Sequence, residues 1–162
     1  MSGPLSSLTG AHNYFEDFAP GQRIRHARSA TVGEVEASAM AKLVMNTAQA
    51  HWNEDYLRGS PLGDGRVVFG LLTASMVVGL ASQDTAENAL AEVGLDHLRF
   101  RAPVHHGDTL TAFSEVLSCD PADRDDAGVV RFAHSGTTQD GRLVFTGERT
   151  VLVKRRSHWG AR

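Results

Sequence analysis

Apolar residues are most concentrated in VVFGLLTASMVVGLA, residues 67–81, where they occupy every side of a helical wheel instead of one stripe. A helix of that kind must be wrapped by other structure, and Gly70, Ala74, Ser75 and Gly79 let neighbouring backbone come close to it. The run falls short of the roughly 20 residues that cross a bilayer. Polar SQDTAEN then carries the chain to the surface, which predicts a central helix over residues 67–87. Beyond it come shorter segments of strand character, LDHLRFRAPV, TLTAFSEVLS, VVRFAHSGTT and RLVFTGERTVLVKR, separated by turn signals. Asp140-Gly141 marks a hairpin, since glycine supplies the positive φ of a tight primed turn. CDPADRDDAG reads as an exposed loop, and the C-terminal half as an antiparallel meander. Upstream, QRIRHARSATV predicts a strand, and residues 33–46 a helix with Val35, Ala39, Leu43 and Asn46 on one face.

One apolar helix followed by antiparallel strands is an α+β pattern, a sheet curled around a helix. A monomer of that shape leaves an edge and an apolar face uncovered, so pairing with a second copy is expected. The length of 162 residues suits one domain with a real core. The formal net charge of −3 argues against a surface built for nucleic acid, because that binding rests on phosphate neutralisation. The lone Cys119 permits no internal disulfide and no cysteine-rich zinc site. Residues 1–13 lack the basic start and apolar core of a signal peptide and read as a flexible lead-in. These features point to the cytoplasm, with no membrane association.

The chemistry-bearing stretch is MNTAQAHWNEDY, in which His51 stands five residues after Asn46 and just before an acidic pair, Glu54 and Asp55. Histidine is the side chain best suited to exchange protons near neutral pH. Gly70, at the start of the apolar helix, offers free backbone N–H groups and a helix dipole to developing negative charge. His105 and His106 share a turn with Gly107 and Asp108, and adjacent turn residues rarely converge on one ion, so no metal is expected. Arg99 and Arg101 fall on one strand face, and the tail carries Lys154, Arg155 and Arg156; either group suits phosphates, or a solvated edge.

The window Asn46-Thr47-Ala48-Gln49-Ala50-His51, the helix opening VFGLLTAS, the entry YFEDFAPGQRIRH and the turn RFRAPVHHGDTL together resemble the MaoC-like hydratases of the hot-dog fold. The family motif is Asp-x-Asn-Pro-aliphatic-His; the spacing and the histidine match, while Asn46, Ala48 and Gln49 replace the Asp, Asn and Pro. An Asn-Thr opening is similar to the branch holding mesaconyl-CoA hydratases and methylmalyl-CoA dehydratases. The resemblance implies a single hot-dog domain over residues 14–155, with residues 156–162 as a tail, and a homodimer whose sheets join and whose active sites lie near the interface. It implies hydration of a 2-enoyl thioester of CoA or acyl carrier protein, or the reverse dehydration, with no cofactor beyond the CoA or phosphopantetheine of the substrate. His51 would carry the acid–base work, or Glu54 or Asp55 would replace the missing carboxylate; Asn46 would orient water or carbonyl; Gly70 would form the oxyanion hole. Val68, Phe69 and Leu72 would wall the acyl pocket, with Arg99 and Arg101 on the carrier phosphates. Ser75 is expected to bond back to its own helix. A hot-dog thioesterase and a non-catalytic thioester-binding accessory protein are the alternatives.

Overall fold

The computed structural model describes residues 5, 13–63 and 65–160. Five antiparallel strands form one sheet in the order β1-β3-β4-β5-β2: β1 (Arg23–Thr31), β2 (Ala89–Phe100), β3 (Thr109–Ala122), β4 (Arg124–Thr137) and β5 (Leu143–Lys154). The helix α1 (Glu34–Leu43) follows β1, the single-turn α2 (Glu54–Leu57) precedes the long α3 (Gly70–Thr85), and α4 (Arg156–Trp159) ends the described chain. No helix among the described residues is long and apolar enough to cross a membrane.

The central helix begins at Gly70, not at Val67, because the preceding residues are extended. Val67 bridges His105, and the Val68 N–H donates to the Val104 carbonyl at 2.8 Å. Alternation along the strands puts Leu110, Ala112, Val130 and Phe132 towards α3, while Thr111, Phe113 and Glu115 face the other way. The helix lies very close to β4: a Cβ on Gly136 would collide with the Val77 side chain. Glycine is required there by contact, not by backbone conformation.

Three expectations are corrected. The meander is limited to β3-β4-β5; β2 crosses to the far edge and pairs with β5. CDPADRDDAG is not a loop, since the β3–β4 ladder continues through Cys119–Val130, Asp120–Val129 and Pro121–Gly128, which reduces the turn to Asp123; its middle is exposed, but Ala127 and Gly128 are buried. In α1 the buried residues are Ala37 and Ala41, whereas Val35 is 81% and Leu43 79% exposed. Small side chains let that face of α1 lie flat on the core, and the larger residues point to solvent.

Part of the expected lead-in, residues 1–4 and 6–12, lies outside the described residues, as do residues 161 and 162 of the tail. Asn13 belongs to the folded body: it is buried and donates Nδ2–H to the Gln83 carbonyl at 2.9 Å. The basic tail closes the chain ends on each other. Arg155 stacks 4.4 Å from the Phe15 ring, and Arg156 pairs with Asp17.

A belt of polar groups divides the core into two apolar clusters, one around Val77, Leu110 and Phe145, the other around Phe18, Phe132 and Val151. In that belt the Asp84 carboxylate accepts from His26 Nδ1 at 2.6 Å, His26 Nε2 accepts the Ser114 hydroxyl at 2.6 Å, and Ser114 Oγ accepts from His134 Nδ1 at 2.7 Å. Nearby Arg149 is also buried and makes three short contacts with Glu92, of 2.6 to 3.0 Å. Burial pushes the His26 pKa below its ordinary value against the pull of Asp84, and pushes His134 down to about 3, helped by the Arg149 charge.

Both histidines are therefore neutral when folded, and the unfolded chain binds more protons below its histidine pKa of about 6.5. Stability is expected to be flat above that pH and to fall as pH drops below about 6.5, by up to about 1.4 kcal/mol per pH unit from His134 down to about 3, with His26 adding to the fall just below 6.5. Urea unfolding between pH 7 and 5 checks this, and His134→Asn should reduce the slope by one proton.

Candidate active site

The chain between α1 and α3 is a run of tight turns fastened at both ends. Asn46 holds the first: its side-chain oxygen accepts the Ala48 N–H at 3.0 Å, and its carbonyl accepts the Trp52 indole N–H at 2.6 Å. Residues Gln49–His51 then form one 3₁₀ turn, and Asn53 caps α2 by accepting the Tyr56 N–H at 3.2 Å. The strip before α3 grips this turn, since the Val67 N–H donates to the Ala50 carbonyl at 3.0 Å and His51 Nδ1 donates to the Val67 carbonyl at 2.7 Å. Arg66, one residue earlier, bonds Glu34 and Ser38 of α1 and Glu54 of α2, tying both flanks together.

This bonding fixes the imidazole. With Nδ1–H committed to Val67, Nε2 of the neutral ring is the free, proton-accepting nitrogen. The ring stands edge-to-face on Phe69, centroids 5.7 Å apart, and Phe69 is the cap residue of α3. The first intrahelical bonds of α3 are made by the N–H groups of Leu72 and Thr73 to the Phe69 carbonyl, which leaves those of Gly70 and Leu71 without an acceptor among the described residues. His51 and the donor end of α3 are thus brought together. A Cβ on Gly70 would stand 3.2 Å from the Phe100 ring, so the missing side chain keeps that end open.

The other expected residues are distributed differently. Val68 and Leu72, 3% and 8% exposed, are sealed into the core, whereas Phe69 is half-buried and meets the His51 ring. Arg99 and Arg101 do share a face, but Phe100 between them points to Gly70, so both arginines lie on the opposite side of the sheet from the α3 terminus. Glu54 is paired with Arg66 at 3.3 Å and Asp55 with Arg58 at 3.4 Å, and neither bonds His51. Ser75 donates to the Leu71 carbonyl of its own helix at 2.8 Å. Among the described residues no three His, Cys, Asp or Glu side chains gather closely enough to hold an ion. Sequence reasoning missed Arg66 and Trp52, which build the turn around His51; an arginine placed directly before the apolar helix was the available signal.

Residues 6–155 match the model of a family described as mesaconyl-CoA hydratase. The chain belongs to that family. It is 34% identical to a mesaconyl-CoA hydratase of Haloarcula marismortui over 94% of this chain and 45% of that one. It is 33% identical to an (R)-specific enoyl-CoA hydratase of Rhodospirillum rubrum over 89% of this chain and 94% of that one. A Mycobacterium tuberculosis protein with a double hot-dog fold superposes with a TM-score of 0.81 at 21% identity, over 92% of this chain and 46% of its own, which identifies the fold as a hot dog. The chain spans about half the length of the first curated relatives it matches.

Gly70→Ala tests the open helix end. The methyl group would press on Phe100 and narrow the approach to the Gly70 N–H, which the substitution keeps, so turnover should fall while the urea midpoint changes little.

Proposed function

We propose that this hot-dog unit is a hydratase/dehydratase acting on a 2-enoyl, or 3-hydroxyacyl, thioester of CoA or acyl carrier protein. The observation that carries this reading is the pairing of an oriented proton acceptor, His51 Nε2, with two unengaged N–H groups at the α3 terminus. In hydration, His51 Nε2 takes a proton from water while the oxygen adds to the β-carbon. The electron pair of the double bond shifts through the α-carbon onto the thioester oxygen, held by the Gly70 N–H. Return of a proton to the α-carbon completes the addition, and dehydration is the same path reversed. Asn46 acts on this chemistry by shaping the turn that presents His51, its amide oxygen being already engaged. The reaction needs neither metal nor redox cofactor, since CoA or phosphopantetheine arrives with the substrate.

We further propose that residues 14–155 form the functional unit and that it works paired with a second copy. Strand β2 is an edge, with Val93 and Leu95 in solvent, and α3 exposes Leu71, Ser75 and Gly79 along one stripe. The longer relatives offer twice the chain, which supports two units per working molecule.

With crotonyl-CoA and mesaconyl-CoA as probes, the protein should remove enoyl absorbance without releasing free thiol. Thiol release would indicate a thioesterase, and neither signal a binding protein. His51→Ala should lower hydration by roughly 10²–10⁴-fold. Glu54→Gln and Asp55→Asn should stay near wild type, and Asn46→Asp, which keeps the acceptor for Ala48, should retain turnover. Near-normal turnover in His51→Ala would overturn the assignment.

A further inference from the structure

The outer face of the sheet, away from α3, carries a cavity of about 680 Å³, within the roughly 300–1,000 Å³ typical of small-molecule sites. We propose that it binds a phosphorylated nucleotide, with Arg99 and Arg101 on the phosphate and Phe113 under the base. Its two carboxylates are already matched by arginines: Glu115 pairs with Arg23 at 3.0 Å, and Glu148 with Arg131 at 2.6 Å. Arg99 donates only to the carbonyl of Leu98, its neighbour in the chain, at 2.9 Å, and Arg101 makes no side-chain hydrogen bond or ion pair among the described residues. With Glu115 matched by Arg23 within the wall and Glu148 by Arg131 from outside it, Arg99 and Arg101 stand without a carboxylate partner, two guanidinium groups of the geometry that grips phosphate through paired N–H donors.

Backbone shape supports the same site. His97, which also lines the cavity, has φ of 52°, a left-handed conformation uncommon outside glycine, at the register shift of β2 between Asp96 and Arg99. Such bulges re-aim the residues that follow, here Arg99 and Arg101, and strained backbone of this kind persists mainly at ligand sites. The floor is mixed: Phe113 offers an aromatic face, and Ser135 and Thr146 offer hydroxyl groups suited to a ribose. An inorganic anion would use the arginines and leave Phe113 idle, so the cavity fits a ring and a phosphate together.

The ligand has two sources with one chemistry, a free adenine nucleotide or the 3′-phospho-ADP end of a CoA thioester. Only the second rests on the hydratase reading. Isothermal titration of the full chain with 3′,5′-ADP tests the site without requiring turnover. Binding should be present in the wild type and at least about 10-fold weaker in Arg99→Gln/Arg101→Gln, in proportion to the loss of charge-assisted hydrogen bonds. Phe113→Leu should weaken 3′,5′-ADP but leave ribose 5-phosphate unchanged, an arm that stands if the double variant fails to fold. Competition of 3′,5′-ADP with a CoA thioester in the wild type would assign the site to the CoA end, and binding without competition to a free nucleotide. Absence of 3′,5′-ADP binding at millimolar concentration, or equal affinity in a folded double variant, would overturn the proposal.

Discussion

The structure depends on how closely α3 lies against the sheet. Val77 sits over Gly136, and that single missing side chain sets the helix–sheet distance at the middle of the core. Once this distance is set, the strands on either side must curl to bury both flanks of the helix, and the segment before α3 is drawn against Val104 and His105. The position of His51 follows, because its turn hangs on the Val67 carbonyl and N–H. Core packing and site geometry are consequently one construction, with the N-terminal end of α3 serving both.

The same helix has contrasting ends. Its N-terminus is left open by Gly70 and meets aromatic rings, whereas its C-terminal half is anchored by the Asp84–His26–Ser114–His134 chain and by Arg149. A buried polar chain of this kind is costly to assemble and stringent in geometry, since each group must find its partner. It fixes the register of α3 on the sheet more narrowly than two apolar clusters alone would. The chemistry is thereby placed at the end of a helix that is held rigid from the other end, and rigid support is what a proton acceptor and an oxyanion donor need to stay in mutual register.

The two faces of the sheet do different work. The inner face buries the helix, and alternation sends every second residue outward, where Arg99, Arg101 and Phe113 gather around a cavity. One strand, β2, therefore contributes Phe100 to the closed side and arginines to the open one. A period of two makes such a division unavoidable, and it separates residues that look adjacent in the sequence.

Sequence alone determined what depends on local pattern: the central apolar helix, the strands, the turn at Gly141, and the presence of His51 and Asn46 in one short segment before that helix. Those follow from periodicity, turn chemistry and a motif, all of which are carried by neighbouring residues. Tertiary structure decided the rest. Whether α1 buries Val35 or Ala37 depended on which face met the core, and the extension of β3 and β4 through Pro121 and Gly128 depended on a partner strand being in place. The location of β2 beside β5 and the buried link from Asp84 to His134 join positions up to 88 residues apart. A sequence records which residues can accept such bonds, but only the folded chain brings the partners within reach, because distance through space is set by packing and not by position along the chain.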